Sequence, residues 1–173
     1  MKGTVEHPER LWEGTLRTRQ GKRIDADRFE GYVTVLSILP LLPGMAIYYY
    51  EMMETLHGQF TPNVEFVVLP IDHGEGIHIR PRSKNPKVVI LEEETAIATH
   101  PWVKHLWAVQ PRSGAATKNH RNEIEQHELP TDRLTVYIVS ADGYFVERLT
   151  VPTMAELQRK IAVYLKTIAY DEL

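Results

Sequence analysis

The sequence predicts an α/β fold built on a mixed central sheet, and three observations carry that prediction. Two uncharged or nearly uncharged runs rich in β-branched residues, 33–39 and 64–69, are separated by a helical segment, as in parallel strands joined by a crossover. Near the end of the chain Asp142-Gly143 lies between two apolar runs, a strong hairpin signal. After it, Thr153 and Glu156 form a capping box ahead of an apolar stripe at helical spacing.

The elements follow in order. Thr15-Leu16-Arg17-Thr18-Arg19, the turn Gln20-Gly21 and Lys22-Arg23-Ile24 predict an early hairpin. The first buried strand is 33–39, followed by the loop Pro40-Leu41-Leu42-Pro43-Gly44 and a helix from about 45 to 57 that closes near Gly58. A second buried strand, 64–69, is bounded by Pro62 and Pro70. Residues 71–86 read as loop, 87–91 as a third strand, and Glu92-Glu93-Glu94 as a solvated turn or a charged patch facing a partner. In 100–110 the apolar positions 102, 103, 106 and 107 share one helical face, whereas 111–132 is polar and irregular. Strands 134–140 and 144–149 flank the turn Ala141-Asp142-Gly143. The final helix runs from about 154 to 169, with Leu157, Ile161, Tyr164, Leu165 and Ile168 on its apolar face.

At 173 residues the chain fits one domain, with a core expected over about 10–169 and short terminal extensions. A formal charge of −3 and no long Lys/Arg run give no reason to expect nucleic acid as partner. The absence of cysteine excludes thiol catalysis, disulfides, thiolate metal sites and iron–sulfur clusters together. The opening MKGTVEHPER has no apolar core of a secretory signal, and Glu6 and Glu9 suit a transit peptide poorly. Residues 31–50 carry no charge and approach the length of a membrane span, but Pro40, Pro43 and Gly44 would break such a helix in its middle.

Five local sequences in this order resemble the glutathione peroxidase branch of the thioredoxin fold. Phe29-Glu30-Gly31-Tyr32-Val33-Thr34-Val35-Leu36 is similar to that family's entry into its central strand, and Tyr50-Glu51-Met52-Met53-Glu54-Thr55-Leu56 to the helix that follows. Val67-Val68-Leu69-Pro70 is similar to the strand before the second catalytic loop, and His100-Pro101-Trp102-Val103-Lys104-His105-Leu106 to a later helix. Ile138 to Arg148 resembles its terminal hairpin. The resemblance implies a thioredoxin-like fold of glutathione peroxidase type: a mixed central sheet, flanking helices and an N-terminal β-hairpin.

It also implies where catalytic groups would stand. The family's reactive Cys or selenocysteine sits in the loop at the first turn of the helix, where backbone N–H groups and the helix dipole stabilise a thiolate. That position falls on Pro43, followed by Gly44. The family's Gln falls near His73, and its Trp-Asn pair at or beside Asp132-Arg133. Proline has neither a titratable group nor a backbone donor, so peroxide reduction would lack its nucleophile. Methionine can be oxidised, but a thioether does not turn over in a thiol-driven cycle.

Other chemistry is weaker. Asp72-His73-Gly74-Glu75-Gly76-Ile77-His78 holds two His and two carboxylates, ligand types suited to zinc, copper or iron, at a spacing that matches no strong motif. A metal-binding or redox-linked enzyme using His73 and His78 is therefore the alternative, and a module binding a ligand in the relic cleft is a further one. His100 and His105, beside Trp102 and Trp107, suit surface or partner contact. No G-x-S-x-G element and no P-loop occur, and Gly74-Glu75-Gly76 lacks a third Gly. Tyr48-Tyr49-Tyr50 with Met52 and Met53 leaves the helix without a clear polar face. Either two Tyr pack in the core and one lies at the surface, or this face meets another protein.

The expectation is a pseudoenzyme of the glutathione peroxidase family: no catalytic residues, cofactor or resident metal, and no small-molecule substrate. It would serve as a structural or accessory subunit of a larger complex, with other protein subunits as partners and no membrane span of its own. A mitochondrial setting is expected from where accessory subunits often accumulate, not from a visible targeting signal, with the cytoplasm as the alternative.

Overall fold

The computed structural model describes residues 15–95 and 133–171. The expected helix over 100–110, the segment 111–132, Asp132 and the chain termini lie outside the described residues. In chain order the elements are β1 (Thr15–Arg17), β2 (Arg23–Asp25), a 3₁₀ turn at Ala26–Phe29, β3 (Val33–Pro40), α1 (Ala46–Phe60), β4 (Val64–Asp72), β5 (Val89–Ile90), β6 (Glu94–Thr95), β7 (Thr135–Val139), β8 (Phe145–Thr150) and α2 (Met154–Asp171).

Strand β3 is buried along its whole length, which explains why its sequence is continuously apolar or small and does not alternate. It pairs in parallel with β4 and antiparallel with β7. Among the described residues the sheet order is β5-β4-β3-β7-β8, with β6 also paired to β4. The sheet is mixed, and the β7–β8 hairpin turns through Gly143, whose φ of 93° suits a residue without a β-carbon.

Side chains of β3 alternate between two cores. Val33, Val35 and Leu39 face α1 and α2, packing with Met53, Leu56, Leu157 and Ile161. Leu36 and Ile38 face the other way, toward Leu16 and Phe29 from the N-terminal hairpin and 3₁₀ turn. Each such side chain removed from water contributes about 1.5–3 kcal/mol.

Several boundaries differ from the sequence expectation for identifiable reasons. α1 runs through Gly58 to Phe60 and is capped at the extended Thr61, the residue before Pro62, where proline disfavours helical backbone in its predecessor. β4 runs through Pro70. The Ile71 carbonyl accepts from Leu41 N–H on the β3 side, and the Val68 carbonyl from Leu91 N–H on the other. Pro70 shares the side of Val68, opposite the gap between β5, which pairs Val67 and Val68, and β6, which pairs Ile71 and Asp72. Its missing N–H therefore interrupts no ladder bond. β5 is two residues long because the backbone N–H groups of Lys87 and Val88 turn aside to Glu54 Oε1, each at 3.3 Å. Glu94, read as part of a turn, instead belongs to β6. Among the described residues no helix is long and apolar enough to cross a membrane.

Candidate functional site

The loop between β3 and α1 is built from the backbone outward. Leu41 N–H donates to the Ile71 carbonyl at 2.9 Å, carrying the pairing with β4 one residue beyond β3. The Leu42 carbonyl then accepts from the Met45 and Ala46 amides at 3.2 and 3.4 Å, closing a turn around Pro43 and Gly44. Gly44 takes a φ of 75°, the left-handed region that a β-carbon disfavours. Pro43 is exposed at the tip, and α1 starts beside it with Met45 as an N-cap that makes no side-chain hydrogen bond. This geometry would favour an anionic nucleophile at the tip. Proline supplies none.

Strand register brings the other predicted positions to the same pole. Pro40 pairs with Ile71, so His73 follows the end of β4 as Pro43 follows the end of β3. Ile38 pairs with Thr135 on the antiparallel β7, so Arg133 enters the sheet at that end too. The chain turns at His73 because Asp72 Oδ1 accepts from Gly74 N–H at 2.8 Å. Asp132 lies outside the described residues. Thus Pro43, His73 and Arg133 flank three neighbouring strands at one end of the sheet.

The His73–His78 loop assembles differently. His78 Nδ1 lies 2.7 Å from Glu93 Oε1, an exposed pair linking the loop to the segment before β6. Among the described residues no three His or carboxylate side chains come together as metal ligands.

The tyrosine run divides by helix geometry. Tyr50 is buried, Tyr49 packs half-buried against the core with its ring edge-on to Tyr48 at 5.1 Å, and Tyr48 is 64% exposed. Burial, the hydrogen bond to Glu54 and the Glu54 charge all push the Tyr50 phenol above its ordinary value. Beside Pro43, Ile47 is 53% exposed, so the first turn of α1 presents apolar surface next to the proline.

One feature escapes the sequence reading. A cleft of about 540 Å³ opens at the amino-terminal ends of β4 and β5, the pole opposite Pro43. Its signal is the segment Arg80-Pro81-Arg82-Ser83-Lys84-Asn85-Pro86-Lys87, four cations and no acid, which spans the expected loop and the first residue of the expected third strand.

The sequence matches no protein-family model and no curated protein. Solved structures do resemble the chain. The apo form of Trgpx matches at a TM-score of 0.64 and 12% identity, covering 94% of this chain and 97% of that one. The T. cruzi protein GPX1 matches at 0.64 and 15%, covering 91% and 97%. A thiol:disulfide interchange protein DsbE from Chlorobium tepidum matches at 0.54 and 11%, covering 91% and 96%. At such identities the likeness is one of fold, and it extends over nearly the full length of each protein. The chain has the thioredoxin-like fold, with a mixed central sheet, two described helices and an N-terminal antiparallel hairpin, and glutathione peroxidases are among its structural neighbours.

Proposed function

We propose that this chain is a non-catalytic, glutathione peroxidase-like protein that acts as a subunit of a larger protein assembly, and that a mitochondrial complex is its setting. The carrying observation is Pro43: exposed at the tip of the β3–α1 turn, in a chain without cysteine, with His73 and Arg133 at the same pole. A turn shaped for a nucleophile carries a residue that can neither attack peroxide nor donate a hydrogen bond from its backbone. The surface beside it is apolar, with Ile47 and Tyr48 standing out from the first turn of α1. Tyrosine and apolar residues at a rigid helix end suit the centre of a protein interface.

The test has two arms. Purified full-length protein is assayed for hydroperoxide reduction with glutathione and with thioredoxin, beside His73→Ala and Pro43→Ala. The expected rate equals that of both variants; turnover that either substitution abolishes overturns the reading. In parallel, the tagged protein is followed by native sizing and mitochondrial fractionation. It is expected to co-elute at fixed stoichiometry with a large mitochondrial particle, and Ile47→Asp with Tyr48→Asp to release it without lowering its melting temperature. A wild-type protein that elutes as a monomer from gently lysed cells also sinks the proposal.

A further inference from the structure

The cleft at the amino-terminal ends of β4 and β5 is set apart by its charge. Lys22 lines it from the β1–β2 turn, Arg28 from the 3₁₀ turn, and Lys84, Asn85 and Lys87 from the loop before β5; Glu65, at the start of β4, is the one carboxylate among the described residues that line it. Among the described lining residues four cations thus stand with one acid, in a chain whose formal charge is −3. Arg28 takes up Glu65 at 3.9 Å, and its guanidinium also lies 5.1 Å from the centre of the Phe29 ring. The Glu54 carboxylate accepts from the backbone N–H groups of Lys87 and Val88 and from the Tyr50 hydroxyl, so it anchors the loop to α1. Lys22, Lys84 and Lys87 have no carboxylate partner among the described residues.

Three ammonium groups around one concavity, with no carboxylate partner among the described residues, repel each other and concentrate positive potential there. The arrangement costs least when a multivalent anion occupies it. A volume of about 540 Å³ lies within the range of small-molecule sites and exceeds what one phosphate needs. Lysine side chains are mobile point charges that suit phosphate oxygens. Asn85 in the same wall adds a neutral side chain that can both donate and accept. A strand of nucleic acid would favour a stripe of cations across the surface, whereas these residues line one cleft.

We propose that this cleft binds a small, multiply charged phosphate compound, of the class that carries a diphosphate or triphosphate group. The site lies at the pole opposite Pro43 and stands whether or not the assembly role does.

The experiment is titration calorimetry of the full chain with inorganic tripolyphosphate, with inorganic phosphate and with single-stranded RNA of increasing length. Tripolyphosphate is expected to bind one to one, more tightly than inorganic phosphate, and more weakly as salt is raised. Lys84→Gln and Lys87→Gln are each expected to weaken it roughly tenfold, the size of one lost charge-assisted contact. Lys166→Gln, at an exposed position of α2, is expected to leave it unchanged. On the wild-type protein, tripolyphosphate is expected to shield Lys84 and Lys87 from acetylation and to leave Lys166 reactive, a readout that does not depend on any variant folding. Three results overturn the proposal: no saturable binding, equal weakening or shielding at Lys166, or RNA affinity that grows with length past that of tripolyphosphate.

Discussion

Val151 shows how one residue can carry strain that the sequence hides. It has a φ of 43°, a conformation that β-branched side chains resist, yet its N–H donates to the Leu134 carbonyl at 2.9 Å and it is 44% exposed. Little packing depends on its methyl groups, so Val151→Asn is expected to raise stability by on the order of 1 kcal/mol, since Asn tolerates the left-handed region. The measurement is a higher urea midpoint at unchanged slope. Tyr164 is another residue-scale case. Burial, then the charge of Glu147 and its hydrogen bond at 3.2 Å, pushes the phenol up to about 12. An unfolded tyrosine ionises near about 10, so between those values the unfolded chain binds fewer protons and stability falls as pH rises. Stability unfolding curves taken from neutral pH upward should stay flat from this group below about 10 and then decline, and Tyr164→Phe should make the decline shallower. Pro43 itself is legible in the sequence because a proline at a loop position is visible without knowing its neighbours. Val151 is not, because a positive φ is imposed by the turn between β8 and α2 and leaves no mark on the residue type.

At the scale of elements, local chemistry predicts well and pairing predicts poorly. The capping box before α2 is confirmed on its Thr153 side, where Oγ1 accepts from Glu156 N–H at 3.1 Å. Leu157 and Ile161 are buried in the core with Tyr164 and Leu165 packed at its margin, as the stripe requires at these four positions; the Ile168 side chain lies outside what is described. Thr153→Ala is expected to cost about 1 kcal/mol, read as a lower urea midpoint, while Thr153→Ser holds near the wild-type value. The β3, β4 and β7–β8 strands were equally visible, because continuous apolar runs and an Asp-Gly turn are properties of short windows. The ends of β4 and β5 were not. Whether Pro70 breaks a strand depends on which neighbour its nitrogen faces, and whether Val88 joins a ladder depends on Glu54, more than thirty residues away. Gly58 fails as a helix stop because nothing there demands a left-handed residue, while Pro62 does end α1.

At the scale of the whole molecule, the sheet has two poles of different character. Pro43, His73 and Arg133 gather at the carboxyl end of β3 and β4, and the lysine-rich cleft lies at the other end. Placing motifs in order puts Pro43, His73 and Arg133 in separate windows, and strand register sets them at one pole; the second pole needs the β1–β2 turn and the loop before β5 to meet, which no sequence window contains. On the proposed reading, in which the nucleophile and its orienting groups are all replaced, restoring one should not restore function. Pro43→Cys is expected to yield a thiol that reacts with a disulfide reagent faster than free cysteine, helped by the start of α1, yet to leave hydroperoxide turnover at background. Turnover well above background would mean that the pole keeps a working acid–base partner. The burial of β3 has a separate consequence for biosynthesis. Its β4 partner follows within one crossover, but Thr34 waits for Val139 and Ile38 for Thr135, about a hundred residues later. Until the ribosome has made β7, the nascent chain holds a long apolar strand with one edge open, a state that invites mispairing and slows folding. Strand β3, buried along its whole length in the finished domain, therefore needs protection while the protein is being made.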